Sequence, residues 1–272
     1  MGSTSTTLAG LMESVPAYAT AIFRTQSSLY NSVLTEQANG LLTVNFTYQS
    51  VPNSSSVITE GSEISDTAFT VGTRAATIQA HGVKTFVSDV ALGGGSNVAQ
   101  TLGNTLGGAV ARDVDTSIIT LFSEFSQSVG TGSADFSKTY FLDASAKLDE
   151  SGYYGQKIAV LHPQQAAELY DDLTAVATDK ANMVYTNGYL GQLGGVIIYQ
   201  SPWVKFDATN TFYGAMFVKE AAIGLGYRLP IIDIEFQRKA SYLGYDVVGS
   251  SFFKTVGLNW NAGCIIYSKR TT

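Results

Sequence analysis

Residues 97–125, NVAQTLGNTLGGAVARDVDTSIITLFSEF, decide the fold. Val98, Leu102, Leu106, Val110, Val114, Ile118 and Phe122 recur at every fourth position. A helix turns once in 3.6 residues, so each step of four runs about 40° past a full turn and the apolar stripe winds around the rod. The spacing predicts one helix over Asn97–Phe125, roughly 43 Å long. A two-helix coiled coil would repeat its seam every seven residues instead. A winding stripe suits a spine that passes beneath several elements in turn. Gly103, Gly107 and Gly108 weaken such a helix, which assigns them to close backbone packing. Gly93-Gly94-Gly95-Ser96 breaks the chain ahead of it, with Ser96 placed as a cap.

Toward the N-terminus, Leu42, Val44, Phe46 and Tyr48 alternate with Thr43, Asn45, Thr47 and Gln49. That period of two predicts a strand with one apolar face. Val51–Asp66 is polar and turn-rich, and strand-like sequence resumes at Phe69 and runs to Val87. The unit reads as a long β-hairpin whose tip has too little apolar sequence to hold itself in place. A two-stranded hairpin is marginal alone in water and needs another surface to lie on. Residues 1–40 are rich in Ser, Thr and Ala, with Pro16 expected to interrupt any long helix, and read as an arm.

Toward the C-terminus, Gly130-Thr131-Gly132-Ser133 is the linker candidate. Lys157–Leu161 predicts a strand, and His162-Pro163 opens a helix with Ala166, Leu169, Tyr170, Leu173, Val176 and Ala177 on one face. Gly194-Gly195 leads into strand Val196–Tyr199, and Phe212–Val218 is another. Ile232, Ile234 and Phe236 alternate with Asp233, Glu235 and Gln237. Strands Val256–Trp260 and Cys264–Tyr267 follow. The fold class is α+β, with no internal repeat.

Composition narrows the function. Of 272 residues only 14% are charged, well below the roughly 25% of ordinary soluble proteins. A chain so poor in charge points to extensive contact with partner chains. No stretch reaches the ~18 continuous apolar residues of a membrane helix. The net charge of −6 and the lack of any basic run exclude tight, phosphate-tracking nucleic-acid binding. Arg24 and Arg74 are the only cations before Lys84.

Catalysis needs convergent titratable groups, and the chain has two histidines and one cysteine. His162 at a strand-to-helix turn reads as a cap, and His81 beside Gly82 as a surface residue. Cys264, in an apolar run, reads as a small buried hydrophobe. Their spacing makes no zinc site. The Gly93–Gly95 run lacks the Lys-Ser/Thr of a phosphate loop. No catalytic, cofactor or metal residue is therefore assigned.

The order of arm, hairpin, long helix, mixed segment and returning strands resembles the major capsid proteins of tailed bacteriophages, the Hong Kong 97-like fold. Two stretches carry it besides the helix. Lys157-Ile158-Ala159-Val160-Leu161-His162-Pro163 looks like the start of that family's axial domain. Tyr189-Leu190-Gly191-Gln192-Leu193-Gly194-Gly195-Val196-Ile197-Ile198-Tyr199-Gln200-Ser201 looks like its strand-turn-strand partner. The resemblance implies an N-terminal arm over 1–40, an extended loop over 41–90 and a peripheral domain with the spine helix over 91–156. An axial domain over 157–230 and closing peripheral strands over 231–272 complete it. It further implies hexamers and pentamers closing an icosahedral head around double-stranded DNA, assembled in the host bacterial cytoplasm. Scaffold, portal and cement or decoration proteins would be partners, with no enzyme activity, cofactor or membrane.

Each hairpin would then lie across a neighbour. Val44, Phe46 and Tyr48 on the outgoing strand, Ile58, Glu60 and Glu63 toward the tip and Arg74 on the return are the candidate intersubunit contacts. Two departures stand out. The N-terminal scaffolding segment of some members is missing, which implies a mature chain or a separate scaffold. The loop tip also holds no lysine, the residue that cross-links some relatives. The alternatives are an encapsulin-type nanocompartment of the same fold, whose charged N-terminal helix is not matched by residues 1–40, and a β-rich hydrolase or sugar-binding protein using Trp203 and Trp260.

Overall fold

The computed structural model describes residues 3–40, 42–49, 71–93, 97–174, 189–209 and 211–270. Ser96, the hairpin tip Val51–Asp66 with Ile58, Glu60 and Glu63, and Val176 and Ala177 lie outside the described residues. In chain order the elements are α1 (Ser3–Gln26), β1 (Leu34–Gln37), β2 (Thr43–Gln49), β3 (Val71–Thr77), β4 (Gln79–Ser88), α2 (Asp89–Gly93) and α3 (Val98–Thr120). Then come β5 (Gln127–Gly130), α4 (Lys138–Glu150), β6 (Lys157–Leu161), α5 (Pro163–Thr174), β7 (Tyr189–Leu193), β8 (Val196–Gln200) and β9 (Thr211–Val218). The chain closes with β10 (Ile223–Tyr227), β11 (Asp233–Lys239), β12 (Gly244–Gly257) and β13 (Gly263–Lys269).

A six-stranded mixed sheet runs β5-β13-β9-β6-β8-β7. Its central strands are apolar on both faces because both faces are covered. Ile158 and Val160 of β6 point into one cluster with α3, while Ala159 and Leu161 point into another with α4 and α5. Ala215 and Phe217 of β9 divide from Met216 in the same way, as does Ile265 from Cys264 and Ile266. Gly194 and Gly195 turn β7 into β8 with φ of 57° and 84°, the left-handed pair that a two-residue hairpin turn requires. Ser137 caps α4 by accepting from the Tyr140 N–H, and Phe141, Ala144 and Leu148 are its buried face. That helix has the cap and i, i+3, i+7 pattern of a sequence-readable element, yet no expectation covered it.

The five-stranded sheet is organised by β12, fourteen residues long. β4 pairs antiparallel with Gly244–Phe253 along one edge, and β11 with Gly244–Ser250 along the other. β10 pairs with the remaining Phe253–Gly257, and β1 lies parallel to β10. The expected strand Val256–Trp260 is therefore the end of β12, with Trp260 already in a 3-10 turn. The expected run from Phe69 to Val87 divides at Ile78, whose N–H goes to the Leu42 carbonyl. Only β3 belongs to the hairpin, because ten residues of β4 are taken up by β12. The segment 231–272 is likewise shared: β11 and β12 lie in this sheet and β13 in the six-stranded one.

α3 is 23 residues long, about 35 Å, and tightens into a 3-10 turn at Leu121–Glu124. Its winding stripe serves both sheets. Leu102 and Leu106 pack with Val87 and Val247 of the five-stranded sheet, whereas Val110, Val114 and Ile118 join Ile158, Phe217 and Ile265 of the six-stranded one.

Residues 3–40 are not a free arm. α1 continues through Pro16 and lies against α3. A proline inside a helix removes one hydrogen bond and costs about 3 kcal/mol; fully burying Val15, Ala19 and Phe23 offsets it. Gly103 and Gly107 permit the approach, since a Cβ at either would strike Tyr18 or the Ala19 backbone. The linker expected at Gly130–Ser133 is a packed corner instead. Gly130 has φ of 82° against the Tyr267 carbonyl, and Gly132 abuts Thr211, so neither position tolerates a side chain.

Candidate assembly surface

β2 and β3 form a separate two-stranded ribbon, paired from Thr43–Thr77 to Gln49–Val71. One face carries Val44, Phe46 and Tyr48, opposite Ala76, Arg74 and Gly72. Val44 and Phe46 are buried against Ala38, Ala76 and Leu258 of the same chain. They can lie there because β10 presents glycines. The Phe46 ring comes within 3.0 Å of where a Gly224 Cβ would stand, and Val44 within 3.3 Å of that of Gly226. Val44 and Phe46 are thus corrected from intersubunit contacts to internal anchors; the Gly-x-Gly of β10 was the signal for this. Tyr48 is half-buried over Gly72, and Arg74 is exposed. The other face, Asn45, Thr47, Thr73, Ala75 and Thr77, is exposed and uncharged.

Ion pairs fasten the strand that follows. The buried carboxylate of Asp246 on β12 receives Lys84 of β4 at 2.6 Å and Lys239 of β11 at 2.9 Å. Hydrogen bonds from Lys84 and then Lys239 hold its carboxyl below the usual range. Arg238 grips Asp89 through both terminal guanidinium nitrogens, Nη1 and Nη2, and that hydrogen bonding lowers the pKa of the Asp89 carboxyl. His81 of β4 stands 2.6 Å from Asp113 of α3 and stacks on Phe253.

One buried acid escaped the sequence reading. Asp115 interrupts the row Ala111, Asp115, Ile119 on the covered side of α3. It accepts hydrogen bonds from Ser27 Oγ at 2.8 Å, Ser28 N–H at 3.2 Å and Leu29 N–H at 3.3 Å, the turn that ends α1. Burial pushes its carboxyl up to about 6 against these stabilising contacts.

The other titratable groups serve structure. His162 Nδ1 accepts the Gln164 backbone N–H, while the His162 backbone N–H donates to Gln165 Oε1, as a cap of α5 does. Burial, and then the nearby Arg270 charge, lowers its pKa. Cys264 is buried, and burial pushes its thiol up to about 11.

A covalent cross-link through Lys84 is disfavoured by this geometry. Isopeptide chemistry needs a deprotonated amine aimed at a neighbour's carboxamide, and Lys84 Nζ is instead ion-paired with Asp246 of its own chain. Boiling assembled material in SDS and reductant is expected to release one band at about 28.9 kDa. A ladder of surviving oligomers would refute this.

No family model and no curated protein matches the chain. Solved structures do. The capsid of the cyanophage P-SCSP1u aligns with a TM-score of 0.66 and 14% identity, over 90% of this chain and 89% of that one. The head of the Helicobacter pylori bacteriophage KHP40 aligns with a TM-score of 0.66 and 9% identity, over 91% of each. A virus-like particle from Pyrococcus furiosus aligns with a TM-score of 0.61 and 12% identity, over 93% of this chain and 98% of that one. The architecture is the Hong Kong 97-like capsid fold, as the sequence resemblance implied.

Proposed function

We propose that this chain is a non-enzymatic capsid shell protein that assembles into hexamers and pentamers and closes an icosahedral phage head around double-stranded DNA. Its place would be the virion, reached by assembly in the host bacterium with scaffold, portal and cement proteins. The observation that carries the reading is a likeness spanning about nine-tenths of both chains to the capsid of the cyanophage P-SCSP1u and the head of the bacteriophage KHP40. The hairpin supplies a mechanism. Its base is fixed in the protomer's own core, and two strands alone leave their outer backbone edges open to another chain. Tyr48, Arg74 and, beyond the described residues, Ile58, Glu60 and Glu63 are the contacts we assign to a neighbour.

Deleting Val51–Asp66 separates folding from assembly. Val44, Phe46 and Ala76 would keep their internal contacts, so the variant should be soluble, with an unchanged circular dichroism spectrum, and should form no closed shells. Normal shells from the deletion would refute the mechanism.

A second reading, a cellular nanocompartment shell, is favoured by the virus-like particle, 98% of whose chain is matched. The contents of particles purified from the native source distinguish the two: packaged DNA for the phage head, cargo protein for the compartment.

A further inference from the structure

Phe86, Val90, Tyr242 and Leu243 are exposed apolar residues gathered at one corner of the five-stranded sheet, where β4 runs into α2 and β11 turns back into β12. They are 45%, 86%, 70% and 67% exposed. Contacts from both sides of the corner join them. The Phe86 ring stands edge-on to that of Tyr242, their centres 6.4 Å apart and their planes at 74°. Leu243, next in the chain, accepts at its carbonyl the N–H of Asp89 at 2.8 Å, and Val90 follows Asp89. Arg238 ties down the same turn by donating to both carboxylate oxygens of Asp89 and to the Gly244 carbonyl.

The backbone is strained at this corner. Leu243 has φ of 48° and ψ of 56°, the left-handed region that a branched side chain enters at a cost and that glycine occupies freely. Such strain persists where the surrounding structure imposes it, and it concentrates at functional sites. Here it holds a leucine toward solvent.

At roughly 150–250 Å² for a fully exposed side chain of this size, the four present about 500 Å². That is a large apolar patch for a single chain. It is nevertheless well under the ~800 Å² that each partner of a stable dimer covers. It suits a contact that closes only where other contacts already hold the chains together. The charges bordering it are paired within the protomer, Arg238 with Asp89, and Lys84 and Lys239 with Asp246. The corner therefore offers a partner apolar area and not charge, and symmetric assembly brings identical surfaces together about an axis.

We infer that this corner is a homotypic contact: Phe86, Val90, Tyr242 and Leu243 of one protomer pack against the same residues of a neighbouring copy, and do so only in the assembled shell. The inference deepens the shell reading and rests on it.

The test uses the full-length chain. Val90→Ser/Leu243→Gly should raise the protein concentration at which closed shells appear in electron micrographs by at least ~10-fold. Both side chains face solvent in the protomer and glycine accepts the left-handed backbone, so the melting temperature should not fall. A fall would give the pair a structural role and overturn the inference. Tyr154→Ser removes a tyrosine exposed in the loop between α4 and β6 and should leave the shell threshold within about twofold. A rise as large as that of the corner variant would overturn the inference too. Tyr242→Cys and Leu243→Cys, each alone, report the geometry. Cys264 is buried, so the introduced thiol is the reactive one. Shells treated with diamide should give disulfide-linked pairs of chains on non-reducing gels, and unassembled protein should not. Closed shells in which neither variant links, or equal linkage in unassembled protein, would overturn the contact while leaving the shell reading intact. Unaltered protein that forms no shells at any concentration would refute the shell reading itself, and the contact with it.

Discussion

Replacing Gly107 by leucine is expected to lower the melting temperature by roughly 5–10 °C and to expose α1 to protease. A Cβ at position 107 would fall on the backbone of Ala19, where no side-chain rotation can make room. α1 must then move off α3, uncovering Ala19 and Phe23, both fully buried. Overpacking of this kind costs about 1–3 kcal/mol before the lost burial is added, and in a chain of this size each kcal/mol is about 2–4 °C. The adjacent Gly108 is the control. A Cβ there meets only the mobile carboxamide of Gln26, at 2.7 Å, so Gly108→Ala should gain up to ~1 kcal/mol of helix propensity. Thermal unfolding followed by circular dichroism checks both, and equal effects at 107 and 108 would show that the helices do not touch as described.

The second large effect is expected at Asp115. Alanine there leaves the Ser27 hydroxyl and the Leu29 N–H buried without an acceptor, at a cost of about 2–4 kcal/mol at neutral pH. The pH dependence has a definite sign. Burial raises the folded-state pKa from 3.8 to about 6, so the folded protein holds this proton more tightly than the unfolded chain. The resulting stability is complete below about pH 4 and is lost as pH rises to about 6, some 3 kcal/mol in all. The carboxyls of Asp207, pulled down to about 2 chiefly by the Thr209 hydroxyl, and of Asp246 act in the opposite direction, but at lower pH. Denaturant titrations at pH 4.5 and 6.5 should therefore give the unaltered protein a steeper loss of stability with pH than Asp115→Ala. Identical slopes would remove Asp115 from the account.

Elements whose burial is decided locally were legible in the sequence. The four-residue recurrence along α3 reported a helix serving two sheets, and the unbroken apolar runs of β6 and β13 reported strands covered on both faces. The glycine pair between β7 and β8 reported its turn. Apart from α4, whose cap and apolar face are local, what escaped was set by distant partners. β12 carries Gly249, Ser250 and Ser251 in its middle, and it is a strand because β4 and β11 flank it. α1 survives Pro16 because α3 offers Gly103 and Gly107. At the candidate surface, the alternation of β2 identified an apolar face but not its cover. Val44 and Phe46 found theirs in β10, where two glycines leave room, so the same pattern that suggested a neighbouring chain was satisfied within this one. Of the contacts we assign to a neighbour, Tyr48 is half-buried and Arg74 exposed within the protomer.

Negative-stain electron microscopy of the purified full-length protein bears most directly on shell formation. Closed, hollow particles of uniform size, each built of many protomers, are expected. A solution of monodisperse small particles at every concentration and ionic strength tried would contradict the assignment of this chain as a shell protein.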